Sequence, residues 1–401
     1  MKFKYKDYLI LLVIIIIEIA IWSETDMFVP SMPDMVTFFG VSEQTIQNIL
    51  SINFLGLSIS ALITGPVSDA YGRRQVMNAG MLCFAIASIG CAFTNSFGWM
   101  LFFRFIQGFG AGVPMVLAWV IIIDLYTEER VMQASGWINS IITAVVAIAP
   151  IIGSYINRSF SWRGNFIAIG AFAILAFVTT IFIIPESHPI EKRRKLSLKN
   201  VAKDYFRLLR NYEFIGNVAL VSLNYSGVML YISSLSLIFI NHLNVSIEKY
   251  GYLQASTMII YMIASGLNSV LIKIYGSKIT NYIGCSAVIT GSSLLMITGM
   301  FFPKNIFMIC SSMGIFTAGV AISIGIIATR ALIASKELKG TGSGLFTVTR
   351  LVIIFCLIEI SSKSFTGSIT PIATIIFVIM IISVLIYYKL PKIENDVSRV
   401  K

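Results

Sequence analysis

Histidine is nearly absent from this chain, with two in 401 residues. His188 and His242 stand in separate loops without companion ligands, which leaves zinc chemistry without support, and no metal is expected. Cysteine is scarce as well. Cys83, Cys91, Cys285, Cys310 and Cys356 are odd in number and set in hydrophobic segments, which excludes a disulfide framework. Charge is the third shortage: Asp, Glu, Lys and Arg make up 12% of the chain, against about 25% in soluble domains. No clustered nucleophile, metal site or pair of acids marks one interface, so an enzyme is not expected and no cofactor is called for.

Apolar residues are what the chain has in excess. They make up 57% of it, and the mean hydropathy is +0.85. Such a chain cannot cover itself with polar surface and belongs in a bilayer. Windows long enough to cross recur at about residues 8–30, 46–67, 76–95, 98–123, 133–156 and 164–185. They resume at about 213–240, 250–272, 281–302, 305–329, 341–362 and 369–389. The expected fold is therefore an all-α membrane protein of twelve transmembrane helices in two groups of six. Residues 1–185 form the first group, 186–212 a cytoplasmic linker, and 213–401 the second.

The net charge of +11 and a pI near 9.4 would suggest nucleic-acid binding in a soluble protein. Here the distribution decides otherwise. With the N-terminus in the cytoplasm, twenty-three of the thirty Lys and Arg fall on inner loops. Five fall outside (Arg158, Arg163, Lys249, Lys304 and Lys363), and Arg104 and Arg350 lie within spans. That asymmetry places both termini inside a cytoplasmic membrane. No nucleic-acid partner is expected. Lys2, Lys4 and Lys6 before the first apolar run resemble a signal peptide, but Glu18 within the run and the lack of a small-residue cleavage site mark a retained helix.

That first span, Tyr8 to Pro33, carries Glu18 and Asp26. A charge at bilayer depth costs about 2.5–3.5 kcal/mol on insertion scales, so each is a candidate functional residue. Eight residues separate them, roughly 12 Å along a helix and about 80° around it, so both can reach one water-accessible cavity at two depths. Pro30 and Pro33 are expected to end the span soon after Asp26. Glu24, about 120° of rotation from Glu18, is expected at a solvated outer mouth. Arg104 needs a partner at depth, and Asp26, Glu18 and Gln107 are the candidates. A structural ion pair and a coupling site would use the same residues.

The loop after the second window reads GPVSDAYGRRQV, Gly65 to Val76. Gly65 and Gly72 permit tight turns and close helix approach, while Asp69 opposes Arg73 and Arg74. Such a charged clamp can hold helix ends together in one state and release them in another. The second half keeps a worn copy in VLIKIYGSK, Val270 to Lys278, with Lys273 in the place of Asp69. An internal duplication is expected. In the second half Arg350 and Glu359 share one span, roughly 13 Å apart, and form a possible second site without a direct bond. The central loop, from Leu196 to Leu209, shows apolar residues at helical spacing with basic residues elsewhere, which predicts an amphipathic helix on the inner membrane face.

GPVSDAYGRRQV resembles the loop signature of the major facilitator superfamily. RFIQGFGAG, with Arg104, Gln107 and Gly108, resembles the fourth-span motif of that superfamily's drug/proton antiporters. Gly136, Pro150 and Gly153 resemble the antiporter signature of the fifth span, with Val145 and Ala149 replacing two of its glycines. TDMFVPSMP at 25–33, SWRGNF at 161–166 and PESHP at 185–189 are similar to the bicyclomycin-resistance branch. The resemblance implies two six-helix bundles that rock in alternating access, and antiport of protons against drugs or other small amphipathic compounds by a monomer. With it, the charges at depth assign Glu18, Asp26 and Arg104 to coupling, and the loop assigns Gly65, Asp69, Gly72, Arg73 and Arg74 to gating. A dedicated exporter of an anionic metabolite such as a siderophore is the alternative; Arg104 and Arg350 would then bind carboxylates.

Overall fold

The computed structural model describes residues 5–193, 198–335 and 339–391. Among them every regular element is helical, as lipid requires of a chain that must satisfy each peptide group internally. α1 is Tyr5–Asp26, α2 Met32–Phe39, α3 Glu43–Ile46, α4 Asn48–Tyr71, α5 Arg73–Phe93, α6 Phe97–Leu125 and α7 Glu128–Ile183. α8 is Leu198–Leu209, α9 Tyr212–Ser236, α10 Ile247–Phe301, α11 Ile306–Ala334, α12 Lys339–Lys363 and α13 Ile369–Lys389.

α7 and α10 run for 56 and 55 residues, about 80 Å each at 1.5 Å per residue. No bilayer is that thick. Each is broken by one non-helical residue, Ser161 (φ 62°, ψ 174°) in α7 and Gly276 (φ 79°, ψ 164°) in α10. Each therefore supplies two crossings, and the ten apolar helical runs amount to twelve spans. The first span departs from expectation at its C-terminal end. Pro30 does not stop it: a 3-10 turn at Val29–Ser31 leads directly into α2, because a proline in a first helical turn gives up no needed N–H.

The chain forms two compact units. One comprises Met1–Val41 and Asn48–Ala202, the other Ser42–Gln47 and Lys203–Lys401. In the first, α1 lies along α7, and α6 packs against both α4 and α5. In the second, α9 is enclosed by α11, α12 and α13, and α10 lies along α11. α3 belongs to the second unit. Glu43 accepts hydrogen bonds from Asn241 at 2.5 Å and contacts His242 at 2.7 Å, and Gln44 donates to the Phe365 carbonyl at 2.9 Å. α8 also docks there through Tyr205 and Leu208, which pack against Phe214, Val218, Ala331 and Leu345. Phe206 and Leu209 stay exposed on its other side. Leu196, the first residue of the expected amphipathic segment, lies outside the described residues.

The internal repeat is visible within each unit. Gly72 turns the chain at φ 101° and Gly276 at φ 79°, a region that penalises any Cβ. Eight residues on stand Gly80 and Gly284. A Cβ on Gly110 would strike the Gly80 carbonyl and the Phe84 amide, and one on Gly319 would strike the Gly284 carbonyl and the Val288 amide. Paired glycines thus bring backbones into direct contact at matching positions, as small residues do between helices in lipid.

Candidate functional site

α1 buries three carboxylates. Glu18 is 1% exposed, Glu24 1% and Asp26 4%. Burial of Glu24 corrects the expectation of a solvated mouth. Its Oε1 lies 3.1 Å from Arg104 Nη1 and also accepts a hydrogen bond from Asn53 Nδ2. The reason is the turn that carries the first span on into α2. With Phe28 to Ser31 packed back as a short helix, the end of α1 stays inside the bundle rather than opening to water.

Arg104 itself is fully buried on α6. Its Nε donates to the Ile49 carbonyl at 3.1 Å and its Nη1 to Gln107 Oε1 at 2.5 Å. Gln107 Nε2 passes the network on to Ser88 on α5 at 2.8 Å, and Asn53 Nδ2 also donates to the Arg104 carbonyl at 3.1 Å. The guanidinium carbon sits 4.4 Å from the centroid of the Phe28 ring, a cation–π contact. Four helices converge on this one charge. Gly108 makes the convergence possible, since a Cβ there would strike the Asn53 carbonyl.

Glu18 lies apart from that network, one turn below Trp22. Its Oε2 accepts from Trp22 Nε1 at 2.9 Å, and its Oε1 is buried with no hydrogen-bond partner among the described residues. Glu24 Oε2 and Arg104 Nη2 are likewise buried without one. Buried polar atoms left so are few in folded proteins and call for an explanation. Three of those that the described residues hold belong to the charged side chains of α1 and α6.

The SWRGNF segment fastens this site from outside. Asn165 Nδ2 donates to Ser31 Oγ at 2.8 Å and to the Gly153 carbonyl at 3.1 Å. Phe166 stacks on Phe28 with ring centroids 5.4 Å apart, so the aromatic wall against Arg104 is held by α7. Gly153 lies where a Cβ would strike the Met27 carbonyl, and Pro150 sits one turn before it. Gly136 meets nothing within 4 Å, so it makes no close packing.

At the opposite end of the unit, Arg73 Nη1 lies 2.5 Å from Asp69 Oδ1 and 2.5 Å from Ser68 Oγ. Its Nε is 3.4 Å from Asp124 Oδ2, and its backbone N–H donates to Glu186 Oε1 at 2.9 Å. Arg74 reaches the Ile181 carbonyl. The charged cluster around Arg73 therefore includes two acids beyond the loop itself, Asp124 at the end of α6 and Glu186 after α7. Both were legible as acids closing spanning runs. Gly65 departs from expectation: it lies inside α4 with open space around it and makes neither a turn nor a close approach. Gly72 does both, with Arg193 and Glu186 against it.

In the second unit Arg350 lies over the ring of Tyr225 at 5.3 Å and near Phe346 at 5.8 Å, with its buried Nε lacking an acceptor among the described residues. Glu359 is partly buried further along α12.

Known proteins align with this chain over most of its length. A bicyclomycin resistance protein homolog of Haemophilus influenzae is 25% identical over 374 residues, covering 90% of this chain and 91% of its own. The chloramphenicol resistance protein CraA of Acinetobacter baumannii is 25% identical over 358 residues, covering 88% and 86%. Among solved structures, a D-xylose-proton symporter superposes with a TM-score of 0.74 at 16% identity, covering 96% of this chain and 98% of its own. That superposition shows that the symporter and this chain share a fold. Residues 12–356 match the family described as Major Facilitator Superfamily, and the chain belongs to it.

Proposed function

We propose that this protein is a proton-coupled efflux transporter of drugs or other small amphipathic compounds, working by alternating access in a bacterial cytoplasmic membrane with both termini inside. The observation that carries the reading is the burial of three carboxylates on one spanning helix beside a single buried guanidinium. Arg104 balances Glu24. Among the described residues Glu18 keeps one neutral donor, Trp22, and an oxygen without a hydrogen-bond partner. An ionised carboxylate at bilayer depth costs about 2.5–3.5 kcal/mol on insertion scales. A proton and a cationic group of a substrate are therefore alternatives for the same oxygen. Glu18 and Asp26 are assigned to that exchange, Arg104 to setting the local charge, and Asp69, Arg73 and Arg74 to the gate. The relatives named for bicyclomycin and chloramphenicol resistance support the substrate class, and the 23-to-5 division of basic residues supports the orientation.

The test is export into everted vesicles under an imposed pH gradient. Glu18→Gln with Asp26→Asn is expected to lower gradient-driven export at least tenfold while leaving the protein inserted. Export unchanged in that double variant would remove the coupling assignment. One observation favours the alternative of an anionic metabolite: the Nε of Arg350 above Tyr225, which has no acceptor among the described residues. Competition decides between them, since cationic dyes would block export under the first reading and polycarboxylates under the second.

A further inference from the structure

A cavity of about 510 Å3 opens in the second unit among α9, α10, α11 and α13, within the range of sites that hold a small molecule or a lipid chain. It is separate from every residue assigned to coupling or gating. Its wall is mostly apolar, with Leu220, Val288, Ile327 and Met380, and its depth carries a polar pair. Asn224 and Ser383 are 4% and 7% exposed, and Ser383 Oγ donates to Asn224 Oδ1 at 3.2 Å. Tyr387 lines it too, accepting from Asn281 Nδ2 at 3.2 Å.

The mouth shows where an occupant comes from. Tyr282, Ile289 and Tyr388 line the cavity and are 44%, 41% and 82% exposed. Apolar side chains exposed on spanning helices face hydrocarbon, so the cavity is reached sideways from a leaflet rather than from water. Three cations then stand at one end of it. Lys278 lies four residues before Tyr282, hence on the same face of α10. Arg330 lies three residues after Ile327 on α11 and donates to the carbonyl of the lining residue Pro391 at 2.6 Å. Lys389 lies between Tyr388 and Leu390, both lining. One acid opposes them among the described residues, Glu213, 3.9 Å from Arg330.

We propose that this cavity binds an anionic glycerophospholipid of the leaflet on its own side, with an acyl chain between α9 and α13 and the phosphate among Lys278, Arg330 and Lys389. An apolar slot topped by an excess of cations at headgroup level matches a molecule with a long tail and a net negative head. A cationic drug would meet repulsion at the mouth. The assignment does not rest on the transport reading, because it uses no coupling residue.

The test is native mass spectrometry and thermal unfolding of the purified full chain in detergent, with phosphatidylglycerol, phosphatidylethanolamine or diacylglycerol added at equal concentration. Phosphatidylglycerol is expected to give a retained one-to-one adduct and raise the unfolding temperature, at least fivefold more readily than the other two. Ser286→Phe, at an exposed lining position, fills the mouth and is expected to abolish the adduct while the lipid-free protein unfolds at the wild-type temperature. Lys278→Gln with Lys389→Gln is expected to erase the preference for phosphatidylglycerol and leave the acyl contact. Equal binding of all three lipids by the wild type, or undiminished binding by Ser286→Phe, would overturn the proposal.

Discussion

Glu24 and Arg104 face each other at 3.1 Å, with 1% and 0% of their side chains exposed. Neither can turn to water for its charge. Each depends on the other and on the Asn53 and Gln107 amides that share the load.

Breaking this pair from one side should be costly. Glu24→Gln or Arg104→Gln leaves a buried charge without its partner, a loss of about 3–5 kcal/mol. Each single variant is expected to unfold at a much lower temperature in detergent. The double variant Glu24→Gln/Arg104→Gln should recover a large part of the loss, because residues in one network are not additive. A double variant as unstable as the sum of the singles would show that the two charges do not depend on each other.

The two positive-φ glycines make a matched experiment. Gly72→Ala and Gly276→Ala each force a Cβ into a conformation that costs about 1–3 kcal/mol. Gly72→Ala should be the worse of the two, since its Cβ would also meet Arg193 and Glu186. Comparing thermal midpoints of the two variants checks the order.

Arg73→Lys should separate stability from transport. Asp69 is 47% exposed in its pair with Arg73, and exposed ion pairs contribute about 0–1 kcal/mol, so the midpoint should hardly move. A lysine cannot span Asp69, Ser68 and Asp124 together as the planar fork does. Export in vesicles is expected to fall severalfold, and Asp124→Asn should reproduce part of that fall.

Ser161 holds a conformation that glycine alone adopts freely, at φ 62° and ψ 174°. Ser161→Gly is expected to raise stability by about 1 kcal/mol, seen as a higher unfolding temperature. Ser161→Ala, with the same strain, should give no such gain.

Much was legible before any tertiary contact was known. Twelve spans follow from apolar runs, and the breaks at Ser161 and Gly276 divide α7 and α10 into two crossings each. The need of Arg104 for a buried acid followed from the cost of charge in hydrocarbon. The choice of acid did not. Glu18, Glu24 and Asp26 point in different directions around α1, and a helical wheel relates them to each other but not to α6.

Chain chemistry alone thus determined that this protein lives in lipid, how often it crosses, and which few charges are lodged at depth, because burial energies belong to each residue separately. Which carboxylate meets the guanidinium, and that Asp124 and Glu186 close around Arg73, was decided only when helices had rotated and docked. Those outcomes depend on contacts such as Gly108 against Asn53 and Gly153 against Met27, where backbone shape on one helix sets the angle of another.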